Sequence, residues 1–514
     1  MDRLVVRKDA YFDSVFLMSL SADLTELDGL QVGQVVLATP ANKQLLVGQG
    51  FDAATIDALG PTDLVVAIRA ETDERLDAAE KRFEELLNRR SKGSEQGEAQ
   101  KPIGLDGAVR AHPDANLVVV SVPGAYAAYE ARKAIQAGLH VMLFSDNVTV
   151  EDEIALKDEA IRKGLLMMGP DCGTAIINGV MLGFANAVRS GPIGIVGASG
   201  TGTQEVTCLI HQFGSGVTQA IGTGGRDLSE AVGARTTLFA IDALAADPKT
   251  EVIVVVSKPP ADAVAAKVLD RLAKVDKPSV VHFVGAGRTD KDGRVHHAPD
   301  LASAARMAVD LASGKDVSVA APAPLPKEAL QKARKARDSK QIALRGLFTG
   351  GTMASEALAY LQERLGPIPS NLGHGSPPAN VVMPEQHAII DLGGDEFTQG
   401  RPHPMIDPTP RVERLMAEAE NNRLAVVLLD VVLGTGSHAD PGGEMLAAIR
   451  QTQDRAKARG QHVTVVTSVT GTDGDTQGLE GQIAKLERAG VVVLPSNIDA
   501  VRFAHAVLDE AIDG

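Results

Sequence analysis

The 514-residue chain contains no tryptophan, and aromatic residues make up only 3% of it. Surfaces that bind nucleic acids combine basic stripes with stacking aromatic side chains. The net charge of −15 and the scarcity of aromatics argue against such a surface. The two cysteines, Cys172 and Cys208, are too few to cross-link a secreted fold, and their spacing matches no metal motif. We therefore expect a protein of the reducing cytoplasm.

Long apolar runs are also missing. No stretch approaches the roughly 18 apolar residues of a transmembrane helix, and charges interrupt the first 20 residues, where a signal peptide needs an apolar core. The apolar content of 44% and the charged content of 23% are typical of globular proteins. A chain of this length is expected to form three or four domains. We predict a soluble protein with no membrane or nucleic-acid partner.

Continuous apolar runs alternate with amphipathic helical patterns, which is typical of parallel sheets covered by helices on both faces. The predicted fold class is multidomain α/β, with Rossmann-like and flavodoxin-like open parallel sheets and an N-terminal α+β module. In the module, Ser14–Ser19 is predicted to be a strand. The predicted domains are a small α+β module at 1–90, an eroded Rossmann-like domain of the CoA-binding type at 102–168, and flavodoxin-like domains at 169–316 and 341–514. Composition predicts linkers at 91–100 and 320–326.

The most informative segment is 193–205, which predicts a buried strand, a glycine turn with several hydroxyls, and the first turn of a helix. The first N–H groups of a helix lack intrahelical partners and lie at the positive end of its dipole, and glycine lets an anion approach them closely. The turn therefore predicts a phosphate or carboxylate site, although an ordinary strand-to-helix turn has the same pattern. The residues assigned to this site are Ser199, Gly200, Thr201 and Thr203.

Other glycine turns follow predicted strands at the edge where α/β sheets bind ligands. We predict that three of them contribute to phosphate or substrate binding. Their residues are Gly224, Gly225 and Arg226 in the first, Gly350, Gly351 and Thr352 in the second, and Gly434, Thr435 and Gly436 in the third.

Several ordered motifs resemble the α subunit of succinyl-CoA synthetase. They are Val122–Gly124, GPDCG at 169–173, GASGTGTQE at 197–205 and GTGGRD at 222–227. The C-terminal part resembles the CoA-ligase domain of that enzyme's β subunit. The segment DLGGDEF at 391–397, with GRPHPMIDP at 400–408 and GTGSHAD at 434–440, is similar to the FdrA family. The resemblance covers roughly 110–315 and 340–514, and the first 90 residues lie outside the synthetase pattern.

The synthetase resemblance implies two helix N-termini that face each other, one after Ser199 and the other near Gly350, around a phosphohistidine. By position that histidine is His297. The position of the synthetase's orienting glutamate is occupied here by Lys258. A cation at this position would lower the imidazole pKa and leave its tautomer unset. His296 and His297 are equally well interpreted as solvent-facing residues of a polar loop. The nucleotide-holding loop of the CoA site and an ATP-grasp domain both have no counterpart in the chain.

Charged side chains near these loops complete the predicted site. Lys258 and Arg226 are interpreted as phosphate-binding cations or as plain surface charge. His403 and His438 lie in Gly- and Pro-rich loops near several aspartates, where they are predicted to bind substrate, with a divalent ion as the alternative. Arg401 is predicted to clamp a carboxylate. The spacing fits no standard metal motif, so we predict no metal site. We assign no cofactor to this chain, and phosphate or an acyl phosphate is the expected substrate.

Three hypotheses follow for function. The FdrA resemblance implies the large subunit of an enzyme that moves a carbamoyl group between carbamoyl phosphate and oxamate or oxalurate, as in allantoin (purine) breakdown. The second is a subunit of an NDP-forming acyl-CoA synthetase, for which CoA or a nucleotide would be a ligand. The third is a non-catalytic regulatory subunit. We expect partner subunits of the same pathway, and a homo-oligomer is the other assembly that we consider.

Overall fold

The computed structural model describes residues 1–8, 10, 12, 14–25, 27, 29–92, 104–317, 323–372, 386–398 and 401–509. The described chain divides into two compact units. The first contains Met1–Ala111 together with Arg401 and Pro402, and the second contains the rest. The predicted linkers lie outside the described residues, apart from 91–92 at the end of a helix and 323–326.

The first unit is a small α+β module. Its elements are β1 (Asp2–Arg7), α1 (Ser14–Thr25), β2 (Leu30–Leu37), α2 (Pro40–Gly48), α3 (Ala53–Asp57), β3 (Leu64–Ala70), α4 (Asp73–Lys92) and α5 (Gly104–Ala111). The antiparallel sheet has the order β1-β3-β2. The strand predicted at Ser14–Ser19 is wrong, because this segment begins helix α1. Leu17, Leu20 and Leu24 recur at helical spacing and are buried together, which explains the helix.

The second unit begins with a three-stranded parallel sheet. Its elements are β4 (Leu117–Val120), α6 (Gly124–Gln136), β5 (His140–Leu143), α7 (Val150–Arg162) and β6 (Met167–Met168), and the strand order is β4-β5-β6. Alternation of short apolar strands with helices gives the parallel arrangement. The turn at Gly169–Gly173 directly follows β6, and its Gly169–Pro170 peptide bond is cis.

An eight-stranded sheet follows. Its elements are β7 (Thr174–Ile177), β8 (Val180–Gly183), β9 (Ser190–Ala198), α8 (Gly200–Gln212), β10 (Val217–Gly222), α9 (Arg235–Ala246), β11 (Val252–Ser257), α10 (Asp262–Ala273), β12 (Ser279–Phe283), β13 (Lys291–Asp292), β14 (Val295–His297) and α11 (Leu301–Ala312). Strands β10-β9-β11-β12-β14 are parallel neighbours in that order, which is the flavodoxin-like order 2-1-3-4-5. The strand order therefore reverses between β9 and β11.

The last sheet repeats this topology. Its elements are α12 (Lys327–Ala336), β15 (Ala343–Phe348), α13 (Gly351–Leu365), β16 (Ala388–Asp391), α14 (Asp395–Thr398), α15 (Thr409–Glu418), β17 (Leu424–Val432), α16 (Pro441–Ala458), β18 (Thr464–Thr470), α17 (Leu479–Arg488), β19 (Val492–Leu494) and α18 (Asn497–Leu508). The parallel order β16-β15-β17-β18-β19 is again 2-1-3-4-5, with its reversal between β15 and β17. Ligands bind at such reversals, beyond the carboxyl ends of the strands.

The predicted fold class is confirmed. The glycine turns predicted at strand ends follow β6, β9, β10, β12, β15 and β17. The predicted domain ranges remain predictions, although each of the predicted sheets falls within its own range. Among the described residues, no helix is both long and apolar enough to cross a membrane.

Candidate functional site

The turn after β9 forms a capped helix N-terminus. Ser199 is the N-cap of α8, and its Oγ accepts a hydrogen bond from the Gly202 N–H at 3.0 Å. The Thr203 hydroxyl donates to the Ser199 carbonyl at 2.5 Å and is fully buried, so it stabilises the turn itself. A Cβ at Gly197 would overlap the Thr203 hydroxyl, which explains the glycine there. Gly200, in contrast, is exposed at the start of the helix.

A second helix N-terminus follows β15. Gly350 is the N-cap of α13, and a buried carboxylate on β17, Asp430, organises the turn before it. Asp430 accepts hydrogen bonds from the Thr349 and Gly350 N–H groups, both at 2.9 Å, and from the Thr349 hydroxyl at 3.0 Å. Asp430 already accepts the N–H groups of Thr349 and Gly350. The N–H groups that this end offers to an anion are therefore those in the first turn of α13.

The two helix N-termini are in direct contact. The hydroxyls of Ser199 and Thr352 lie 2.6 Å apart in a hydrogen bond, and a Cβ at Gly350 would lie 2.7 Å from the Thr201 hydroxyl. Oxygens 2.6 Å apart leave no room for an anion between them. An anion at this junction would therefore sit on its open side, beside exposed Gly200 and half-buried Gly351, where two positive helix ends act together. The loop predicted at 199–203 and the loop predicted at 350–352 thus meet at one junction, and their role as an anion site stays a prediction.

Lys258 and Asp391 lie at the same helix end. Lys258 directly follows β11, next to the reversal of strand order, and Asp391 ends β16. A Cβ at Gly351 would lie 3.0 Å from Lys258 Nζ and 2.5 Å from Asp391 Oδ2. Burial raises the pKa of Asp391 to about 6, against the opposing effect of the Lys258 charge. Lys258 Nζ therefore lies next to the first turn of α13, and its role in binding phosphate stays a prediction.

A further carboxylate, Asp171, faces Lys258 from the turn after β6. Asp171 is exposed to solvent, and a Cβ at Gly225 would lie 3.1 Å from its Oδ2. We call the region bordered by Asp171, Lys258 and Gly351 the cleft. Burial raises the pKa of Asp171 to about 6, Lys258 lowers it, and the carboxylates of Asp146 and Asp395 raise it further. Our sequence reasoning missed Asp171. The signal was available, because the related synthetase motif has an asparagine where GPDCG has this aspartate.

Arg226 is tied into the wall of the cleft. It donates to the Val148 carbonyl at 2.8 Å and pairs with Glu153 at 3.0 Å. Beneath it, fully buried Lys157 binds Glu153 and Asp227, both at 2.7 Å. Arg226 thus holds the turn of Gly224 and Gly225 in place, and its charge also lowers the pKa of Asp171. Close approach explains Gly224, since a Cβ there would overlap the Pro170 carbonyl.

His403 lies next to the turn that follows Asp391, close to Gly393. Its Nδ1 accepts a hydrogen bond from the Met405 N–H at 3.2 Å, and its ring centroid is 5.7 Å from that of Phe184. Burial lowers the pKa of His403 to about 4, so the ring is neutral near pH 7. Since Nδ1 accepts, the proton of the neutral ring is on Nε2.

The loop predicted at 434–436 packs against another sheet. Gly434 has φ of +114° and lies against Ala185, whose carbonyl accepts the Thr435 N–H at 2.9 Å. A Cβ at Gly436 would lie 3.2 Å from the Phe184 ring. Nearby, the His438 N–H donates to the Met405 carbonyl at 2.7 Å. The contacts of Gly434, Thr435 and Gly436 join this loop to the segment between β8 and β9, and a role of this loop in substrate binding stays a prediction.

His297 lies on strand β14, where it is almost completely buried, as is His296. The interpretation of a solvent-facing polar loop is therefore wrong, because both residues pair with β12 inside the sheet. Burial and the Arg288 charge lower the pKa of His297, while Asp290 and Asp292 raise it. Its phosphorylation stays a prediction, as does the carboxylate clamp at Arg401, which belongs to the first unit.

Comparison with known proteins gives three family matches. A model described as CoA-ligase matches residues 347–507, and one described as CoA binding domain matches 188–287. A model described as "AllF, heavy metal-associated domain" matches residues 1–102. The matches to the first two models include the turns of Ser199, Lys258 and Gly350.

Individual relatives agree with these matches. The uncharacterized protein YahF of Escherichia coli is 43% identical over 502 residues, which are 96% of both chains. The succinate–CoA ligase [ADP-forming] subunit alpha-2 of Trichomonas vaginalis is 29% identical over 38% of this chain and 63% of its own length. The succinate–CoA ligase [ADP-forming] subunit alpha of Aquifex aeolicus is also 29% identical, over 33% of this chain and 57% of its own length. The chain thus spans less than two thirds of these two subunits.

The description of the N-terminal match names heavy metals, whose soft ions prefer thiolate and imidazole ligands. Residues 1–102 contain neither cysteine nor histidine. Carboxylates of this unit form ion pairs with arginines, namely Arg3 with Asp77 and Glu80, Arg7 with Glu84, and Arg69 with Asp2. These residues therefore do not fit a soft-metal site. Within the described ranges, no group of three or more His, Cys, Asp or Glu side chains is arranged to hold a metal ion.

Proposed function

The chain belongs to the FdrA family of the succinyl-CoA synthetase superfamily, and from that premise we propose that it transfers a carbamoyl group between phosphate and an oxamate-type acceptor as one subunit of a larger enzyme. The family matches support an enzyme that acts on acyl groups. The N-terminal match to an AllF domain supports a place in allantoin breakdown. Carbamoyl transfer is the specific activity that we add.

The observation that carries this proposal is the contact between the two helix N-termini, with Lys258 beside it. The hydroxyls of Ser199 and Thr352 bring both helix ends to one point, and Lys258 Nζ reaches the first turn of α13. Partial positive charge from two helices and one full cation suits a phosphate dianion or an acyl phosphate. In a cleft of low dielectric such groups also stabilise charge that develops on an oxygen during acyl transfer.

The charges favour an acyl phosphate over a phosphohistidine. A cation, Lys258, occupies the place where the related synthetase has the glutamate that orients its histidine. His297 is buried within a sheet, where burial and then the Arg288 charge lower its pKa, against the opposing effect of Asp290 and Asp292. An imidazole that lacks an orienting carboxylate is a poorer phosphoryl acceptor. Direct attack of phosphate on the carbonyl carbon needs no such histidine.

In the reaction that we propose, a phosphate oxygen attacks the ureido carbon of oxalurate. A C–O bond forms, the C–N bond to oxamate breaks, and the departing nitrogen takes up one proton. The products are carbamoyl phosphate and oxamate. The negative charge that passes through the carbonyl oxygen lies next to the positive helix ends and Lys258, so this geometry lowers the barrier.

The test uses the full chain purified together with its partner subunits. We expect oxalurate and inorganic phosphate to give carbamoyl phosphate, measured through a coupled carbamoyltransferase. Ser199→Ala and Lys258→Met should each lower kcat/KM by about 10²–10³-fold, as expected for loss of one oxyanion-stabilising group. Lys274→Met, a change at the exposed lysine that directly follows α10, should have no effect. Equal activity of all four proteins would refute the role of this cleft.

A second function is supported by the CoA-ligase and CoA-binding matches. The chain would then be a subunit of an NDP-forming acyl-CoA synthetase whose nucleotide domain is on another chain. Turnover that requires ATP and CoA, together with a phosphorylated peptide containing His297, would establish this function in place of the first.

Partner subunits and a cytoplasmic location are part of the same proposal. Relatives with similar glycine loops are named as subunits. The two cysteines are both free and buried, which suits a reducing compartment. Size-exclusion chromatography of the tagged chain from its native host should show it in a complex with further subunits.

A further inference from the structure

We propose that Asp171 accepts a hydrogen bond from the P–OH group of hydrogen phosphate, so that the cleft selects an oxyanion that carries a proton and rejects one that carries none, such as sulfate. The inference rests on the proposed function, because it concerns the phosphate half of the same cleft. It also names the side chain that passes a proton to the departing nitrogen.

The turn at Gly169–Gly173 holds Asp171 beside the N-terminus of α8. The Asp171 N–H donates to the Ser145 carbonyl at 3.0 Å. Thr174 directly follows the turn, and a Cβ at Gly200, the first residue of α8, would lie 3.8 Å from its Oγ1. The main chain that carries Asp171 is therefore fixed next to one of the two helix ends that meet at the junction.

The Asp171 carboxylate is available to a ligand. It is exposed, and neither of its oxygens forms a hydrogen bond or an ion pair with any residue that the structure describes. The backbone of Asp171 has φ of +56°, in the left-handed region that aspartate and asparagine adopt more readily than most other residues. The main chain thus sets the position of the carboxylate, and no side-chain partner occupies it.

A second carboxylate, Asp391, faces the cleft with one oxygen unoccupied. The residue is 5% exposed, and its Oδ1 accepts the Gly393 N–H at 3.0 Å. Its Oδ2 is directed toward Gly351 and Lys258 and forms no hydrogen bond within the described ranges. Burial raises the pKa values of Asp391 and Asp171 to about 6, so both carboxylates are mostly ionised near pH 7.

The balance of charge decides which anion the cleft accepts. Each helix end is equivalent to about half a positive charge, so the two ends and Lys258 together are offset by the two carboxylates. Arg226 adds little, because it is paired with Glu153 at 3.0 Å. An anion without a proton therefore meets repulsion from Asp171 with no net positive charge to overcome it.

A P–OH group changes this repulsion into attraction. An ionised carboxylate can only accept hydrogen bonds, and a bond between a hydroxyl donor and a charged acceptor is among the strong ones. Near neutral pH inorganic phosphate keeps at least one P–OH proton, whereas sulfate has none. The exposed carboxylate of Asp171 therefore suits hydrogen phosphate and disfavours sulfate.

Within the proposed function, the same contact supplies the proton that carbamoyl transfer requires. An unprotonated oxygen of hydrogen phosphate attacks the ureido carbon of oxalurate, a C–O bond forms, and the C–N bond to oxamate breaks. The P–OH proton moves to Asp171 and then to the departing nitrogen. Carbamoyl phosphate and oxamate are the products, and Asp171 is ionised again at the end.

A binding experiment tests the P–OH contact without turnover. The full chain with its partner subunits is titrated calorimetrically near pH 7 with inorganic phosphate, with sulfate, and with fluorophosphate, in which fluorine replaces the hydroxyl. Wild type should bind phosphate at least about 100-fold more tightly than the other two, because a site built around a hydrogen bond rejects an analogue that lacks the group. Asp171→Asn fits the same backbone and can donate to all three anions, so the preference should fall to about 10-fold or less. Asp270→Asn, at an exposed aspartate of α10, is the matched control and should keep the preference.

The pH dependence assigns the effect to Asp171. The charged groups that face Asp171 are Lys258, Arg226, Asp146 and Asp395. Protonated Asp171 can donate to sulfate, so the affinity of wild type for sulfate should rise as the pH falls through about 6. Asp171→Asn should lose most of this rise, and Asp391→Asn should keep most of it. Lys258→Met should weaken the binding of all three anions and leave the preference for phosphate in place.

The outcomes separate this inference from the proposed function. If wild type forms carbamoyl phosphate from oxalurate but binds sulfate as tightly as phosphate, or if Asp171→Asn keeps the full preference, the inference is overturned and the function stands. If wild type prefers phosphate, Asp171→Asn loses the preference and no carbamoyl phosphate forms, the function fails and the P–OH contact stands. Where carbamoyl phosphate does form, Asp171→Asn should lower its rate of formation about 10²–10⁴-fold, and an unchanged rate would overturn the proton transfer.

Discussion

Gly202→Ala is the sharpest test of the contact between the two helix ends. Gly202 lies in the first turn of α8, where alanine has the better intrinsic helix propensity by about 1 kcal/mol. The new Cβ would overlap Ser199 Oγ, lie 2.8 Å from Thr352 Cγ2, and lie 3.3 Å from Val256 Cγ1. Ser199 must then turn away and lose two hydrogen bonds, one from the Gly202 N–H and one to the Thr352 hydroxyl.

The magnitude follows from opposing effects. Loss of the N-cap costs about 1 kcal/mol, and overpacking against Thr352 and Val256 costs about 1–3 kcal/mol. The gain in helix propensity of about 1 kcal/mol offsets only part of this. We expect a net destabilisation of about 1–3 kcal/mol. Binding of inorganic phosphate should also weaken, because the two helix ends no longer meet through Ser199 and Thr352.

Gly481→Ala is the matched control. Gly481 is exposed in helix α17, and a Cβ there would meet nothing within 4 Å. This change should stabilise the protein by about 0.5–1 kcal/mol. Thermal denaturation followed by near-UV circular dichroism, with and without phosphate, compares the two variants. If Gly202→Ala were as stable as Gly481→Ala and bound phosphate like wild type, the described contact between α8 and α13 would be wrong.

Three further changes test the charges around the cleft. Lys258→Met should raise the pKa values of Asp171 and Asp391 above about 6, because it removes the cation that lowers both; carboxyl NMR titration measures this. Asp430→Ala should lower the melting temperature, at a cost of about 2–4 kcal/mol, because three donors of the Gly350 turn lose their acceptor. The pKa of Glu356 is raised from 4.5 to about 8 by burial, so the folded state binds this proton more tightly than the unfolded state. The stabilisation by protonated Glu356 is complete below pH 4.5 and is lost as the pH rises through 8. In denaturant titrations, Glu356→Gln should therefore match the stability of wild type at pH 4.5 and exceed it at pH 8.5.

Local sequence pattern was enough to predict most of the sheet framework. The run Val252–Val256 is apolar throughout and, with Ser257, forms central strand β11, which is covered on both faces. Strand β1 was not predicted, because Arg3 and Arg7 interrupt its apolar pattern. Both arginines pair with carboxylates of α4, about 70 residues away in sequence, and single-sequence periodicity carries no information on such partners.

The candidate site was predictable only in part, for a similar reason. The turn at Ser199 and the turn at Gly350 each have a local signature, which predicts a helix N-terminus after a buried strand. The raised pKa values of Asp171 and Asp391 depend on burial by elements of three sheets and on one shared lysine. No local pattern encodes that environment. The loop at 434–436 has the composition of an anion site, yet its glycines are explained by close contact with the segment at Phe184 and Ala185.

A buried network one to two turns beyond the helix ends indicates that the cleft is preorganised. Glu205 of α8 accepts the Asn497 N–H at 3.0 Å, and Glu356 of α13 accepts from the Asn497 side chain at 2.8 Å. Asn497 also donates to the Met353 carbonyl at 3.1 Å. One residue at the start of α18 therefore holds both helices whose N-termini meet at Ser199 and Thr352. Because the helix dipoles are held in place by protein contacts, they need no reorganisation when charge develops on a bound carbonyl oxygen, which is the condition under which oriented N–H groups contribute most to catalysis.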